Sequence, residues 1–477
     1  MTLASLFSAT KYAPVSGRLL MLGFGSVGQA VLPLLLRHLA VQAAQISIIT
    51  ASDAGIEQAS NMGVALTVQR LTEDNWRAQL TPRLAPGDML LNLSVGVCSL
   101  SLMTLCRQRG ALYLDTCIEP WAGTYTDGYL SPSQRSNYAL REQALAFGRA
   151  APNGPTAVLT QGANPGLVSS LVKQALLNMA HDADLGISPP RQRQDWAALA
   201  QRLSIRTIHI AERDSQAACQ HRRAQEFVNT WSVDGFISEG LQPSELGWGS
   251  HERHWPADAM RHGYGCDAAI YLNRPGMATQ VRSWTPLQGA YQGFLVTHGE
   301  SISIADHLTL QQNGALLYRP TVHYAYLPCD DAQLSIHDMA GRNWQAPPTR
   351  RILRQEIQEG LDELGVLLMG NSRGVYWLGS RLSIQEARNL APYNSATSLQ
   401  VAAGVLAGVV WALQNPQASV VEPDDLDHAQ VLAIARPYLG ELVGVYADWS
   451  PLQGRSHLFQ EDLDLQDPWQ FKNFRVQ

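Results

Sequence analysis

Leu19 to Ala30 reads LLMLGFGSVGQA, and the architecture of the chain follows from those twelve residues. An apolar run of strand character, Leu19 to Leu22, leads into Gly23-Phe24-Gly25-Ser26-Val27-Gly28, and an apolar-periodic segment continues through Leu39. A dinucleotide site needs this order. The first glycine permits a tight turn, the second lets backbone approach a pyrophosphate, and the third lets helix pack on sheet. The phosphates then meet free N–H groups at the positive end of the helix. A nicotinamide or flavin dinucleotide is expected here. Pro33 falls inside the predicted helix, where a missing N–H and a ring clash cost roughly 3 kcal/mol unless the helix kinks.

Working outward, strand and helix alternate. Gln45 to Thr50, Val64 to Val68, Asp88 to Ser94, Ala111 to Thr116 and Thr156 to Gln161 read as strands, with helices predicted over Asp53 to Met62, Glu73 to Leu80, Ser99 to Arg109 and Ser136 to Ala150. The pattern is α/β, a Rossmann-type doubly wound parallel sheet covered on both faces, with ligands at the carboxyl ends of its strands. Asn164 and Pro165 are expected to cap and open the helix Leu167 to Met179. From about Ile205 to Leu382 short strand-like runs replace the alternation, which predicts a second, α+β substrate and dimerisation domain. Ala396 to Leu413 is a long helix whose small residues, among them Gly404 and Gly408, suit close packing against the first domain. The expected division is 1–165 for the dinucleotide, 166–390 for the substrate, and 391–477 for a C-terminal helix and a tail whose placement beyond Val420 the pattern leaves open.

Bulk properties narrow the partners. A length of 477 residues implies more than one core, and a net charge of −6 with no basic run gives no support to a nucleic-acid partner. The longest uninterrupted apolar stretch, Val401 to Leu413, falls short of the roughly 18 residues that span a membrane, and the first residues, MTLASLFSATKYAPVSG, lack the pattern of a secretory leader. Six widely spaced cysteines form no CxxC pair and read as reduced thiols of a cytoplasmic protein. Metal-ligand spacing and a GxSxG elbow are both missing. Lysine occurs only at Lys11, Lys173 and Lys472.

Four stretches can carry chemistry. At the end of the second strand, Thr50 is followed by Asp53, which either binds the ribose of NAD or caps a helix; no arginine lies between Ile46 and Gln69, so NAD is favoured over NADP. Asp115-Thr116-Cys117-Ile118-Glu119-Pro120-Trp121 leaves the fifth strand either toward the nicotinamide or as an ordinary loop. In Phe227 to Gly240, alternation sends Asn229, Trp231 and Val233 to one face, making Trp231 core or pocket wall, with Glu239 following in a turn. Thr297-His298-Gly299-Glu300-Ser301 pairs a histidine with a carboxylate in a turn, and Glu212 ends another strand.

The motifs LGFGSVGQ, NLSV, YLDTCIEPW, GANPGLVS, HIAERD, FVNTWSVDGFISEGLQPSELGWG, GFLVTHGESISIADHLT and RPTVHYAYLPC, in this order, closely resemble those of the bacterial homospermidine synthase family, within the wider saccharopine-dehydrogenase-like group. The resemblance runs over essentially the whole chain. It implies that bound NAD oxidises putrescine to an imine, that ammonia leaves as a second putrescine adds, and that the NADH just formed reduces the new imine to homospermidine. It further implies that Gly23, Phe24, Gly25, Ser26, Val27 and Gly28 hold the pyrophosphate, with Thr50 and Asp53 at the ribose and Ser94, Thr116, Asn164 and Pro165 around the nicotinamide half. Trp231 matches an indole facing the cationic intermediate and Glu239 a carboxylate that anchors an amine, while Glu119, Glu212, His298 and Glu300 match further pocket positions. Gly96 and Thr50 stand where the family pattern suggests acids.

Residue chemistry points the same way. A diamine carries two ammonium groups, so its pocket needs carboxylates at the ends and apolar or aromatic surface between. Indole stabilises a desolvated cation by roughly 2 kcal/mol. Hydride transfer requires a neutral amine, and either His298 or Glu239 can take its proton. With only Lys173 near the expected site, the imine should be captured directly by the second amine, without a covalent enzyme adduct. Competing expectations are a saccharopine- or carboxynorspermidine-dehydrogenase-like reductive amination, whose carboxylate substrates call for arginines, and a non-catalytic NAD-binding sensor. A homodimer is expected from the small-faced helix and the helix after Asn164-Pro165.

Overall fold

The computed structural model describes residues 9–476. The glycine-rich turn sits where expected. Strand β1 (Leu19–Leu22) is buried along its whole length and precedes helix α1 (Ser26–His38). With β2 (Ile46–Thr50), β3 (Ala65–Val68), β4 (Met89–Asn92), β5 (Leu112–Asp115) and β6 (Ala157–Val158) it forms a parallel sheet in the order 3-2-1-4-5-6. The order reverses between β1 and β4, which opens a crevice above their carboxyl ends.

Three glycines explain the turn. Gly23 has φ +85°, and a Cβ there would stand 2.5 Å from the carbonyl oxygen of Leu93. A Cβ on Gly28 would meet the Gly23 carbonyl at 2.6 Å, so this glycine brings the helix against the strand. Above Gly25 there is open space. Helix α1 runs through Pro33 without interruption. The Gln29 carbonyl, which Pro33 cannot satisfy, accepts instead from Gln58 Nε2 at 2.9 Å.

Helix α2 (Leu167–Asp182) starts after Gly166, which has φ +128°. Asn164 and Pro165 therefore precede the helix and neither caps it, contrary to expectation. The second lobe is a mixed sheet of ten strands among the described residues. Its central strand β7 (Thr207–Asp214) is followed in the chain by β8 (Glu226–Asn229), α3 (Val233–Leu241), β9 (Pro243–Gly247), β10 (Ala269–Pro275), α4 (Gly299–His307) and β11 (Thr321–Leu327). Then come β12 (Thr349–Ile352), β13 (Leu361–Met369) and β14 (Val375–Ser383). β7 pairs in parallel with β11 and antiparallel with β13, while β8 and β12 form a separate parallel pair.

Here the sequence expectation needs its main correction. The strand expected over Phe227 to Val233 stops at Asn229, and Val233 opens a helix capped by Ser232, whose hydroxyl accepts from the Gly235 N–H. Trp231 lies in the strand-to-helix turn, so alternation does not orient it, and Glu239 sits on the helix.

The C-terminal part joins both lobes. Helix α5 (Ala396–Gln414) packs against α1, and a Cβ on Gly404 would collide with the Gly162 carbonyl. By length and composition this helix is apolar enough to cross a bilayer, yet it is buried between the elements it packs against. Beyond it, β15 (Val420–Val421) adds to β6 of the first sheet and β16 (Glu441–Ala447) adds to β14 of the second. The small face and helix α2 are both buried within the chain, which removes the argument that made them dimer surfaces.

Candidate active site

A cavity of about 500 Å³ opens above the glycine turn and is lined from both lobes. The first lobe contributes the loops after β1, β2, β4 and β5 and the 162–165 segment; the second contributes β7, the Trp231 turn, α3, His298 and β11. Of the expected cofactor residues, Gly23, Phe24, Gly25, Ser26, Val27, Thr50, Ser94, Thr116, Asn164 and Pro165 line it. Gly28 is needed for helix packing and lies beneath. A larger hollow of about 910 Å³ adjoins it along the ends of β2 and β3 and shares Gly23, Thr50, Ala51, Ser94 and Glu119.

Asp53 is the clearest miss among the cofactor residues. It is exposed, the following helix begins at Ile56 with Gly55 as its cap, and the cavity wall is made by Thr50, Ala51, Ser52 and Ala54 instead. Asp53 neither caps nor lines. Arg70, one residue past the arginine-free stretch that ends at Gln69, borders the larger hollow.

The acids converge. Glu119, Glu212 and Glu239 all reach the cavity from separate elements and all are buried. Glu119 Oε2 accepts from the backbone N–H of Gly96 at 3.3 Å. Gly96 has φ +71°, so the glycine found where an acid was anticipated positions a neighbouring carboxylate through its backbone. Burial pushes the Glu119 carboxyl up to about 8; the Gly96 N–H opposes this and the negative field of Glu239 adds to it.

Glu212 accepts from Tyr324 Oη at 2.5 Å and from Asn164 Nδ2 at 2.6 Å. Burial raises it to about 7 against those two donors. Asn164 thus serves this carboxylate. Tyr324, which sits in the RPTVHYAYLPC block but was not among the expected site residues, lies against His298 with ring centroids 4.5 Å apart and the planes tilted by 39°.

His298 is held between two carboxylates. Its Nε2 lies 3.1 Å from Glu239 Oε2 and its Nδ1 3.2 Å from Glu300 Oε1. Burial disfavours the charged ring, but the fields of Glu300 and Glu239 and their hydrogen bonds more than compensate, raising it to about 10. A carboxylate on each ring nitrogen favours the protonated ring, which makes His298 a poor acceptor for an amine proton. Of the two expected candidates for the base, His298 and Glu239, the histidine is the one whose surroundings favour holding a proton. Glu300 stands behind His298 and does not itself line the cavity.

Trp231 forms part of the wall, and its Nε1 donates to Tyr326 Oη at 3.2 Å, which fixes the indole. Among the described residues no lysine lines the cavity. Lys173 is buried and donates to the carbonyls of Asp424 and Leu426.

The arrangement can hold a cation of diamine length among three carboxylates and an indole, beside a turn built for a pyrophosphate. Comparison with known proteins agrees with it. The sequence matches the family described as saccharopine dehydrogenase NADP binding domain over residues 19–158 and the saccharopine dehydrogenase C-terminal domain over residues 162–446. The homospermidine synthase of Blastochloris viridis is 53% identical over 471 residues, 98% of each chain. The chain belongs to the homospermidine synthase family. The homospermidine synthase of Mesorhizobium japonicum is 48% identical over 98% of this chain and 97% of its own. The crystal structure of the homospermidine synthase from Legionella pneumophila, in complex with NAD, is 47% identical and superposes with a TM-score of 0.91 over 97% of this chain and 98% of its own.

Proposed function

We propose that this member of the family makes homospermidine and ammonia from two molecules of putrescine, with NAD as a retained cofactor. The observation that carries the proposal is the meeting of Glu119, Glu212, Glu239 and Trp231 in one cavity with the glycine turn. The residues fit the cofactor: the space above Gly25 leaves room for phosphates, and the start of α1 has no side-chain cap competing for its N–H groups. When bound, NAD would accept a hydride from the carbon bearing one amine and later return it.

The chain's own residues do the remaining work. Glu212 and Glu119, titrating near neutral pH, are suited to take the proton from an ammonium group so that the amine can react, and to return it to departing ammonia. Glu239, held by the His298 imidazolium, anchors the far ammonium. The Trp231 face stabilises the iminium formed when the amine is oxidised. Attack of the second amine forms the new C–N bond, ammonia leaves with its proton supplied by a carboxyl group, and the product remains cationic in the same acidic chamber. Without a lysine in the wall, the substrate amine itself captures the imine.

Cofactor binding falls to 1–165 and most substrate contacts to 166–390, with 391–477 buttressing both. Related di- and polyamines fit the same charge pattern. We further propose a cytoplasmic enzyme, in keeping with six unpaired cysteines, and a homodimer, for which the exposed Leu458, Phe459 and Leu465 offer apolar surface. A reductive amination of carboxylate substrates is disfavoured because the one arginine of the cavity wall among the described residues, Arg354, is tied to Gln29 of the helix that follows the glycine turn.

Incubation with putrescine and a trace of NAD tests the reaction. Ammonia and a triamine should form over many turnovers with no net NADH. NADH released in proportion to putrescine consumed, or no triamine at all, would overturn it.

A further inference from the structure

Arg354 follows β12 in the second lobe, yet it lines the cavity together with Gly25 and Ser26 of the first. Its Nη1 donates to Gln29 Oε1 at 3.0 Å. Gln29 is buried on α1, and its Nε2 donates to the carbonyl of Phe24, inside the glycine turn, at 2.9 Å. One side chain therefore ties the arginine of one lobe to the phosphate-binding loop of the other. The arginine loop is braced from behind, since the Arg354 N–H donates to Glu356 and its carbonyl accepts from Arg388, each at 2.9 Å.

Charge gives the arrangement a purpose. A dinucleotide's pyrophosphate carries two negative charges, while the end of α1 supplies only about half a positive charge. The first turn of α1 contains no basic side chain, and the same cavity wall holds three glutamates. Among the described residues, Arg354 is the one arginine or lysine in that wall. A guanidinium also matches phosphate oxygens in geometry, with two parallel donors.

We propose that Arg354 is the phosphate-binding residue of the cofactor site, so that the substrate lobe itself retains the dinucleotide held by the other lobe. This rests on the dinucleotide part of the proposed function and not on the amine chemistry. The loop carrying Arg354 also abuts the segment that bears Trp231, because the Leu353 N–H donates to the Asn229 carbonyl at 2.7 Å. Cofactor phosphates and the indole are thus braced by adjacent strands.

Calorimetric titration of the full chain tests this with three ligands: NAD, ADP-ribose, and adenosine, which lacks phosphates. Arg354→Gln should weaken NAD and ADP-ribose alike by about 10- to 100-fold, reduce the salt dependence of both, and leave adenosine unchanged. Arg354→Lys should recover part of the loss. Affinity for NAD and ADP-ribose within about twofold of the parent would overturn the proposal, as would an equal loss for adenosine, which would make Arg354 only a strut. A chain that binds NAD through Arg354 but makes no triamine would sink the reaction and keep this assignment. Triamine formation with unaltered NAD binding in Arg354→Gln would do the reverse.

Discussion

Trp231 is fixed by its bond to Tyr326 and forms part of the wall beside three glutamates, where, on the proposed mechanism, its face would meet the charged states along the reaction. Removing the ring in Trp231→Ala should forfeit about 2 kcal/mol, roughly 30-fold in kcat/KM. Trp231→Phe, which keeps a weaker aromatic face, should lose less than about tenfold. Steady-state kinetics on both variants decide this, and equal losses would remove the cation argument. The absence of a cavity lysine makes a second claim checkable: borohydride added during turnover with putrescine should leave the protein mass unchanged, whereas a stable adduct would refute direct capture of the imine. Much of this site was legible in sequence, because Glu119, Glu212, Glu239 and Trp231 sit in blocks long enough to be distinctive. What was not legible depends on three dimensions. His298 looked like a base until Glu239 and Glu300 were seen on opposite ring nitrogens, and Asp53 looked like a ribose ligand until its helix was seen to begin at Ile56.

Helix α5 meets the 162–165 segment through Gly404, where any side chain would run into the Gly162 carbonyl. Gly404→Ala should therefore cost about 1–3 kcal/mol through overpacking and raise KM for putrescine by displacing Asn164 from Glu212. Gly128→Ala, at an exposed position with open space around it, should be neutral by both measures. Melting curves and kinetics on the pair check the contrast. The parallel strands were readable because buried strands are continuously apolar, as in MLLN at Met89–Asn92. The helix Val233–Leu241 was not, although Ser232 followed by Asp234 is an N-terminal signal. The β-branched and aromatic run before it outweighed that cue.

Taken as a whole, the molecule encloses carboxyl groups that prefer to be protonated. Glu119, at about 8, and Glu212, at about 7, both lie above the ordinary glutamate value of 4.5. Each binds its proton more tightly folded than unfolded, so the stability they contribute is complete below about pH 4.5 and is lost as pH rises through 7 and 8. His298, raised from 6.5 to about 10, acts in the same direction over a higher window. The melting temperature without ligand should fall between pH 6 and pH 9, and stabilisation by putrescine should grow over that interval. Scanning calorimetry across this range checks both, and a melting temperature that rises with pH would contradict the assignment.

The last sixty residues complete both sheets, β15 on the first and β16 on the second. A ribosome releases the chain from its amino end, so the cofactor sheet waits with a bare edge at Ala157–Val158 until Val421 has been made, hundreds of residues later. Such an edge invites foreign strands during synthesis. Stop codons between Gln414 and Val420 should therefore yield insoluble protein, and production in cells should depend on chaperone supply more than the finished enzyme's stability suggests.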